Sequence, residues 1–338
     1  MLISWNITKA CNLNCAHCYR DAGTKLPDEL TTTEGKKLLA DLRTLGFKIV
    51  IFSGGEPLLR PDVYELIAYA SSLGLVSVLG TNGTLIDIDC AKALKKSGLK
   101  RAGISLDAVV PEIHDEFRQV KGSWDKAVAG IENCKLAGLE VQVHTTVTKK
   151  NISEVLSISK FAQKIQAKAH HIFFLVATGR GKQIDNIIPA ADEYEILLEQ
   201  LLERQKFTSF ELKPVCAPQF MRIARQKNIP LRFQKGCLAG ISYACILPDG
   251  QVHPCPYLPL NLGNIRVQGF VNIWQKNNVL NELRQLKLHG KCGYCEFKLV
   301  CSGCRAAAFY QSEGDYLAAD LNCRYEPKRE TDPNNITV

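Results

Sequence analysis

Three cysteines stand close together near the start of the chain, in the stretch CNLNCAHCYRDAG (11–23). They are spaced Cys11-x3-Cys15-x2-Cys18, and the next cysteine along the chain is Cys90. A structural zinc site needs four ligands, usually drawn as two pairs, and a redox pair would use Cys15 and Cys18 but leave Cys11 unexplained. Three thiolates can also hold a four-iron cluster whose fourth iron has no protein ligand and can coordinate a small molecule. Of these three kinds of site, the spacing favours the cluster with the open iron.

A second group of cysteines lies in the last third of the chain. Cys237 is followed after twelve residues by Gly250 and after four more by Cys255, and CGYCEFKLVCSGC (292–304) contains two further pairs before Cys323. The chain has 14 cysteines in 338 residues. Clustered cysteines in a chain of this length, without an export signal, favour metal binding over a disulfide scaffold.

The elements that must position these residues follow from the hydrophobic pattern. Apolar and β-branched runs alternate with helix-like segments, the first of which begins with Thr31 or Thr32 and Glu34, the residue types of a capping box. Six strand and helix units in order predict an α/β fold, a partial (β/α)6 TIM-like barrel with a C-terminal cysteine-rich domain. The predicted strands are 2–8, 47–55, 75–83, 101–108, 139–147 and 170–177.

The residues that could bind ligands or take part in chemistry follow the first four predicted strands. Cys11 comes after the first strand, SGGEP (53–57) after the second, TNGT (81–84) after the third and SLDA (105–108) after the fourth. Because parallel folds build their active sites at the carboxyl ends of the strands, we expect these loops to share one site.

Composition divides the chain further. We expect the barrel over residues 1–190, a helical connector over 191–235, the cysteine-rich domain over 236–325 and a flexible tail over 326–338. The formal charge of +8 counts every cysteine as neutral, and no run of five basic residues is present, so no nucleic-acid partner is expected. No apolar run reaches a membrane span, and we expect a cytoplasmic protein without a membrane partner.

The cysteine loop and SGGEP together resemble the radical S-adenosylmethionine (AdoMet) superfamily. The resemblance implies a four-iron cluster on Cys11, Cys15 and Cys18, whose open iron chelates AdoMet and whose electron gives a 5′-deoxyadenosyl radical. It implies that Glu56 accepts a hydrogen bond from the AdoMet ammonium, with Gly54 and Gly55 allowing close backbone approach. The other implied AdoMet contacts are Asn82, Ser105, Asp107, Thr146, Arg118 and the ring of His17.

The second group of cysteines resembles a SPASM domain, which binds two auxiliary four-iron clusters in some radical AdoMet enzymes. The resemblance assigns Cys237, Cys245, Cys255 and Cys304 to one cluster and Cys292, Cys295, Cys301 and Cys323 to the other. Cys216 could replace Cys245 as the eighth ligand. Cys90 and Cys134 lie in helix-like stretches and are expected to be structural thiols.

Within this family, CSGC departs from peptide-maturing enzymes, which usually have three residues between the last paired cysteines. The chain instead resembles the NirJ and AhbC branch, which removes side chains from sirohaem-derived tetrapyrroles. That resemblance implies removal of acetate or propionate from a substrate such as 12,18-didecarboxysirohaem, with ferredoxin or flavodoxin as electron donor. Candidate contacts to this polyanionic substrate are Arg20, Arg180, Lys182 and Arg305, with His253 for its iron.

Two alternatives stay open at this point. A SPASM maturase acting on a peptide or protein would share every cluster ligand, although such enzymes usually carry an amino-terminal leader-binding domain and the first strand is predicted here from residue 2. A zinc ribbon would account for Cys292, Cys295, Cys301 and Cys304, but not for the cysteine loop or for SGGEP.

Overall fold

A computed structural model describes residues 1–328 of the chain. Within them, nine strands belong to one sheet and thirteen α-helices surround or follow it. The strands are β1 (Leu2–Asn6), β2 (Ile49–Ser53), β3 (Val76–Thr81), β4 (Arg101–Ser105), β5 (Glu140–Val147), β6 (Ala169–Phe174), β7 (Glu211–Val215), β8 (Tyr243–Ile246) and β9 (Val252–His253). The helices are α1 (Thr32–Thr44), α2 (Val63–Ser72), α3 (Ile88–Lys96), α4 (Pro111–Arg118), α5 (Ser123–Leu136), α6 (Val155–Lys164), α7 (Ala191–Lys206), α8 (Gln219–Gln226), α9 (Ile265–Gln268), α10 (Phe270–Lys276), α11 (Asn278–Arg284), α12 (Lys291–Tyr294) and α13 (Arg305–Gln311).

The sheet has the order β7-β6-β5-β4-β3-β2-β1-β8-β9. All neighbours are parallel except β8 and β9, which are antiparallel. The six predicted strands are confirmed, as is the α/β class with a partial barrel. Because β1 to β6 are parallel and in sequence order, their carboxyl ends lie along one edge.

Alternation along β1 shows how the barrel separates its core from its lumen. Ile3, Trp5 and Ile7 are fully buried against the helices, and a Cβ on Gly35 of α1 would lie 2.4 Å from the Trp5 ring. Successive side chains of a strand point to opposite faces, so Ser4 and Asn6 face the lumen. Helix α1 starts at the predicted capping box, in which Thr31 and Glu34 each accept a hydrogen bond from the other's backbone N–H.

The segment 191–235, predicted to be a helical connector, also contains a strand. Between α7 and α8, β7 extends the sheet beside β6. Pro214 lies inside this strand and cannot donate a ladder hydrogen bond, which fits the position of β7 at the end of the sheet. The proline in this short run, between two helix-like stretches, explains why the sequence pattern missed the strand.

The cysteine-rich domain joins the barrel through the sheet itself. Strand β8 pairs with β1, with Ser4 opposite Cys245, and β9 places His253 opposite Cys245 on its other side. Outside the sheet, the Arg266 guanidinium binds the Glu34 carboxylate at 2.6 Å and holds the pKa of Glu34 at about 2.

Two further expectations concern the C-terminal tail and membrane-spanning helices. Most of the predicted tail, residues 329–338, lies outside the described residues. Of the helices within 1–328, none combines the length and apolar character needed to cross a membrane.

Candidate functional site

The cysteine loop between β1 and α1 brings its three thiols together. The backbone N–H groups of Leu13 and Ala22 donate to the sulfurs of Cys11 and Cys18, each at 3.4 Å. Burial raises the pKa of Cys11 to about 11, and the neighbouring Cys15 and Cys18 thiols act in the same direction. The Cys11 thiol by itself is therefore neutral at pH 7. A bound cation would deprotonate the three thiols, because thiolates are the ligand form.

Arg180 fixes the shape of this loop. Its guanidinium donates to the carbonyl oxygens of Cys15 and Ala22, both at 2.9 Å, and its own backbone N–H donates to the carbonyl of Cys18. Arg180 was predicted to contact the substrate, but its donors serve the loop. Only the fold brings residue 180, beyond β6, to a loop that follows β1, and no sequence pattern signals this contact.

The two glycines of SGGEP are required by a close backbone contact. A Cβ on Gly54 would lie 2.3 Å from the Thr8 carbonyl oxygen, and a Cβ on Gly55 would lie 2.1 Å from that of Ala10. The backbone N–H groups of Gly55 and Glu56 donate to these same two carbonyls. The glycines therefore let the loop after β2 pack on the start of the cysteine loop, and their close approach to AdoMet stays a prediction.

Glu56 is fully buried and its carboxylate already has partners. It accepts hydrogen bonds from the Thr81 hydroxyl and from the backbone N–H groups of Asn82 and Leu58, at 2.8 to 3.1 Å. Burial raises its pKa to about 7, and these hydrogen bonds oppose the rise. These contacts make Glu56 a link between the ends of β2 and β3, and its contact with the AdoMet ammonium stays a prediction.

A buried ion pair lies beside the cysteine loop. The Arg118 guanidinium binds the Asp107 carboxylate at 2.6 Å, and the other carboxylate oxygen accepts from the Thr146 backbone N–H at 2.8 Å. Burial alone would raise the pKa of Asp107, but Arg118 and other neighbours hold it below its usual value. A second Arg118 nitrogen lies 3.8 Å from the sulfur of Cys15. The pair therefore brings one cation to the edge of the cysteine loop.

The remaining predicted contacts lie at the same edge of the sheet. Asn82 donates from its side-chain amide to Asn12 of the cysteine loop at 2.8 Å, and the Ser105 hydroxyl donates to the Thr81 carbonyl at 3.3 Å. The His17 ring stacks on Phe117 with centroids 4.0 Å apart, and burial lowers its pKa to about 3, so the ring is neutral. These residues share the site expected from the strand ends.

In the C-terminal domain, four cysteines line one pocket. They are Cys292, Cys295, Cys301 and Cys323, the set that the sequence assigned to one auxiliary cluster. Burial raises the pKa of Cys301, Cys295 and Cys323. A pocket walled by four thiols is the cradle that a four-iron cluster needs, so these residues fit the group.

The other four-cysteine set differs from the prediction at one position. The Cys216 thiol donates to the sulfur of Cys304, and this hydrogen bond lowers the pKa of Cys304. Cys255 and Cys237 are also near enough to raise the pKa of Cys216. Cys245 is completely buried in β8, where its sulfur accepts from Arg20 at 3.3 Å. The fold therefore gathers Cys216, rather than Cys245, with the other three cysteines.

The described thiols are not arranged for a single ion. Within residues 1–328, no three cysteine, histidine or acidic side chains converge closely enough to hold one metal ion. The ligands of a four-iron cube surround a larger body than a single zinc ion. Of the two remaining thiols, Cys134 is buried in α5 and Cys90 accepts a hydrogen bond from Tyr64.

The other residues predicted to contact the substrate lie in different surroundings. Arg305 is 2 % exposed and donates to the carbonyls of Tyr316 and Ala318, so its role is structural. The Lys182 ammonium lies 5.5 Å from the centroid of the Tyr310 ring. Arg20 and His253 lie in the lumen beside Cys245, where burial lowers the pKa of His253 to about 4.

A three-cysteine loop at the mouth of a partial barrel, followed by a cysteine-lined domain, defines an iron–sulfur radical enzyme. Family models bear this out: residues 5–162 match the radical SAM superfamily and residues 237–304 match the SPASM iron–sulfur cluster-binding domain. The chain belongs to the radical SAM superfamily and carries a SPASM domain. The predicted class, enzyme type and cofactors, iron–sulfur clusters and AdoMet, are thereby confirmed, and the zinc-ribbon alternative is wrong.

Individual proteins place the chain within the superfamily. It is 41 % identical to the AdoMet-dependent heme synthase of Methanosarcina barkeri, over 97 % of both chains. It is 34 % identical to the Fe-coproporphyrin III synthase of the same organism, over 97 % of this chain and 88 % of the relative. Among solved structures, Streptococcus suis SuiB bound to S-adenosylmethionine superimposes with a TM-score of 0.73 at 16 % identity, over 96 % of this chain and 77 % of SuiB.

Proposed function

We propose that this chain is a radical AdoMet enzyme that forms haem by removing carboxylate from propionate side chains of an iron tetrapyrrole, Fe-coproporphyrin III. The observation that carries the proposal is the full-length similarity to a haem synthase, which exceeds that to an Fe-coproporphyrin III synthase. Haem differs from Fe-coproporphyrin III in having two vinyl groups where the latter has propionates. The proposed substrate is therefore the compound that the second relative is named for making.

The reaction balances for each side chain. A propionate that loses one hydrogen atom, one electron and CO2 becomes a vinyl group. Cys11, Cys15 and Cys18 would hold the cluster that, with AdoMet, would supply the 5′-deoxyadenosyl radical to take the hydrogen atom. The electron released with CO2 needs an acceptor, and the auxiliary clusters held by the C-terminal cysteines would supply one. An external donor such as ferredoxin or flavodoxin would supply the electron that starts each cycle.

For the auxiliary clusters, we propose Cys216, Cys237, Cys255 and Cys304 as one ligand set and Cys292, Cys295, Cys301 and Cys323 as the other. Cys216 takes the place predicted for Cys245, because its sulfur contacts that of Cys304 while Cys245 is held by Arg20. The domain limits stay as predicted from the sequence, with the connector now including β7. A cytoplasmic location agrees with a reaction that requires reduced clusters.

Around AdoMet, Arg118 is the strongest proposed contact of this chain. It is the cation that the Asp107 carboxylate holds beside Cys15, where the carboxylate of a bound AdoMet would be attracted. Ser105 and the neutral ring of His17 lie at the same strand ends and are proposed to contact the nucleoside. Gly54, Gly55, Glu56 and Asn82 act one step back, by fixing the loops that surround the site.

A second candidate substrate is 12,18-didecarboxysirohaem, from which the enzyme would remove acetate groups. The 34 % identity to a synthase whose product is Fe-coproporphyrin III favours this reading over an unrelated substrate. A peptide substrate is the remaining alternative. The likeness to SuiB, at 16 % identity, bears on the fold alone and does not favour that substrate.

The test is an anaerobic assay of reconstituted, dithionite-reduced protein with AdoMet and each tetrapyrrole separately. We expect Fe-coproporphyrin III to give haem, with one 5′-deoxyadenosine formed for each propionate that loses CO2. Chromatography and mass spectrometry measure both products. Loss of acetate from 12,18-didecarboxysirohaem alone would replace the first substrate with the second. Deoxyadenosine with both tetrapyrroles unchanged would contradict the proposal and direct the search to peptides.

A further inference from the structure

A group of polar side chains lies in the lumen where β1, β8 and β9 meet. Arg20 donates to the sulfur of Cys245, and Cys245 is the register partner of His253. On the other side, the Arg20 guanidinium lies 5.2 Å from the centroid of the Tyr19 ring, and the Tyr19 hydroxyl donates to Asn6 at 3.3 Å. These contacts form one continuous cluster that includes Tyr19 and Arg20, the two residues after Cys18.

Three nitrogens of this cluster are shielded from solvent without a hydrogen-bond partner among the described residues. They are Nε of Arg20, Nδ2 of Asn6 and Nδ1 of His253. Asn6 is 1 % exposed and His253 is 6 % exposed, so solvent does not replace the missing partners. Buried polar groups are paired in nearly all native structures, and exceptions call for a ligand or another explanation.

The charge of the cluster is also unbalanced. Arg20 is protonated at all relevant pH values, yet within residues 1–328 no Asp or Glu carboxylate pairs with it. A guanidinium presents its donors in a fork that matches a carboxylate. Unpaired donors on Asn6 and Arg20, next to an unbalanced positive charge, therefore describe a site for an anion that the chain itself does not supply.

We propose that Arg20, with Asn6 and His253, binds one carboxylate of the tetrapyrrole and so orients the macrocycle over the radical centre. This inference rests on the proposed function, and it names the residues that recognise the substrate. Of the four cations expected to bind the substrate, Arg180 and Arg305 already donate to backbone carbonyls, while Arg20 donates to the Cys245 sulfur and lies in the cluster with the unpaired nitrogens of Asn6 and His253. The tilted rings of Tyr19 and Tyr257, with centroids 5.0 Å apart, supply aromatic surface beside the site.

The test measures binding of Fe-coproporphyrin III by titration of the Soret band, using the reconstituted holoprotein. Arg20→Met should weaken binding by about tenfold or more, because a charge-assisted pair is lost from a buried site. Arg20→Lys should fall between, since it keeps the charge but not the fork. Arg43→Met on the exposed face of α1 is the matched control and should bind as the native protein does.

A second probe separates carboxylate recognition from a general loss of fit. Iron octaethylporphyrin has no carboxylates, so Arg20→Met should leave its affinity unchanged. Equal weakening for both probes would overturn the inference, as would unchanged binding of Fe-coproporphyrin III by Arg20→Met. In the latter case native turnover of Fe-coproporphyrin III would still support the proposed function, so the two failures are distinguishable. Native protein that neither binds nor converts either tetrapyrrole substrate would overturn both.

The competing account is that Arg20 balances the charge of the auxiliary cluster, since Cys255 is close enough to affect its pKa. Iron content and the electron paramagnetic resonance of each reduced cluster test this in the same samples. Spectra that match the native protein, together with weakened binding, would support the carboxylate site. Altered auxiliary-cluster signals in both Arg20 variants would overturn it.

Discussion

The two cysteine regions of this protein are assembled in opposite ways. Cys11, Cys15 and Cys18 lie on one short loop, where neighbouring backbone N–H groups donate to two of the sulfurs. The thiols proposed for the auxiliary clusters extend from Cys216 to Cys323, and β8 and several short helices lie between them in the chain. The first site is local in sequence and the second is not. Changes in the loop should therefore affect radical chemistry alone, while changes in the auxiliary set should depend on tertiary position.

The largest effect is expected from removing the loop thiols. Replacing Cys11, Cys15 and Cys18 by alanine should reduce AdoMet cleavage to background, because no ligands remain for the open cluster. Iron content should fall by roughly a third, since one four-iron cluster of three is lost. Deoxyadenosine assays and iron analysis measure the two effects. Cys134→Ala in α5 is the control, and retained cleavage in the triple variant would refute the assignment.

A direct comparison of Cys216→Ser and Cys245→Ser tests the tertiary assignment. Cys216→Ser should lose auxiliary iron or change the resonance signal of that cluster, because its sulfur lies with Cys304. Cys245→Ser should keep the native iron content, since its sulfur contacts Arg20. The opposite result would restore Cys245 as the eighth ligand.

Removing the cation beside the loop should cost stability as well as activity. Arg118→Met leaves Asp107, which is 1 % exposed, as an unpaired buried charge. The loss should be about 3 to 5 kcal/mol of unfolding free energy, with weaker AdoMet binding. Denaturant unfolding of the apoprotein measures the loss of stability, and AdoMet titration of the holoprotein measures the loss of affinity. Lys150→Met breaks the exposed Lys150–Glu116 pair and should change stability by less than about 1 kcal/mol.

The smallest effect is expected at the ion pair between Arg266 of the cysteine-rich domain and Glu34 of α1. Arg266→Met removes the contact with Glu34, but both side chains are about one-third exposed and solvent screens the pair. Unfolding free energy should fall by less than about 1 kcal/mol, and auxiliary iron should be retained. Loss of that iron would mean that the paired strands β1 and β8 do not suffice to hold the domain.

Much of the fold and of the candidate site was predictable, because it depends on patterns within short stretches of the sequence. The six strands and the capping box at Thr31 depend on patterns within short segments and are confirmed, whereas the ligand role of the loop cysteines stays a prediction. The roles of Gly54, Gly55 and Glu56 were not predictable in the same way. Their partners are distant in sequence: Thr8 and Ala10 follow β1, and Thr81 ends β3. A sequence pattern does not report which of these atoms will touch.

The sequence by itself therefore determined the fold class and the type of chemistry. Hydrophobic periodicity specifies which segments become strands, and cysteine spacing on one loop specifies which metal group can bind there. Only the tertiary structure placed Cys216 beside Cys304, brought Arg180 to the cysteine loop and gave Arg20 an unpaired donor. These outcomes depend on contacts between distant segments, whose geometry is set by packing of the whole sheet rather than by any local preference.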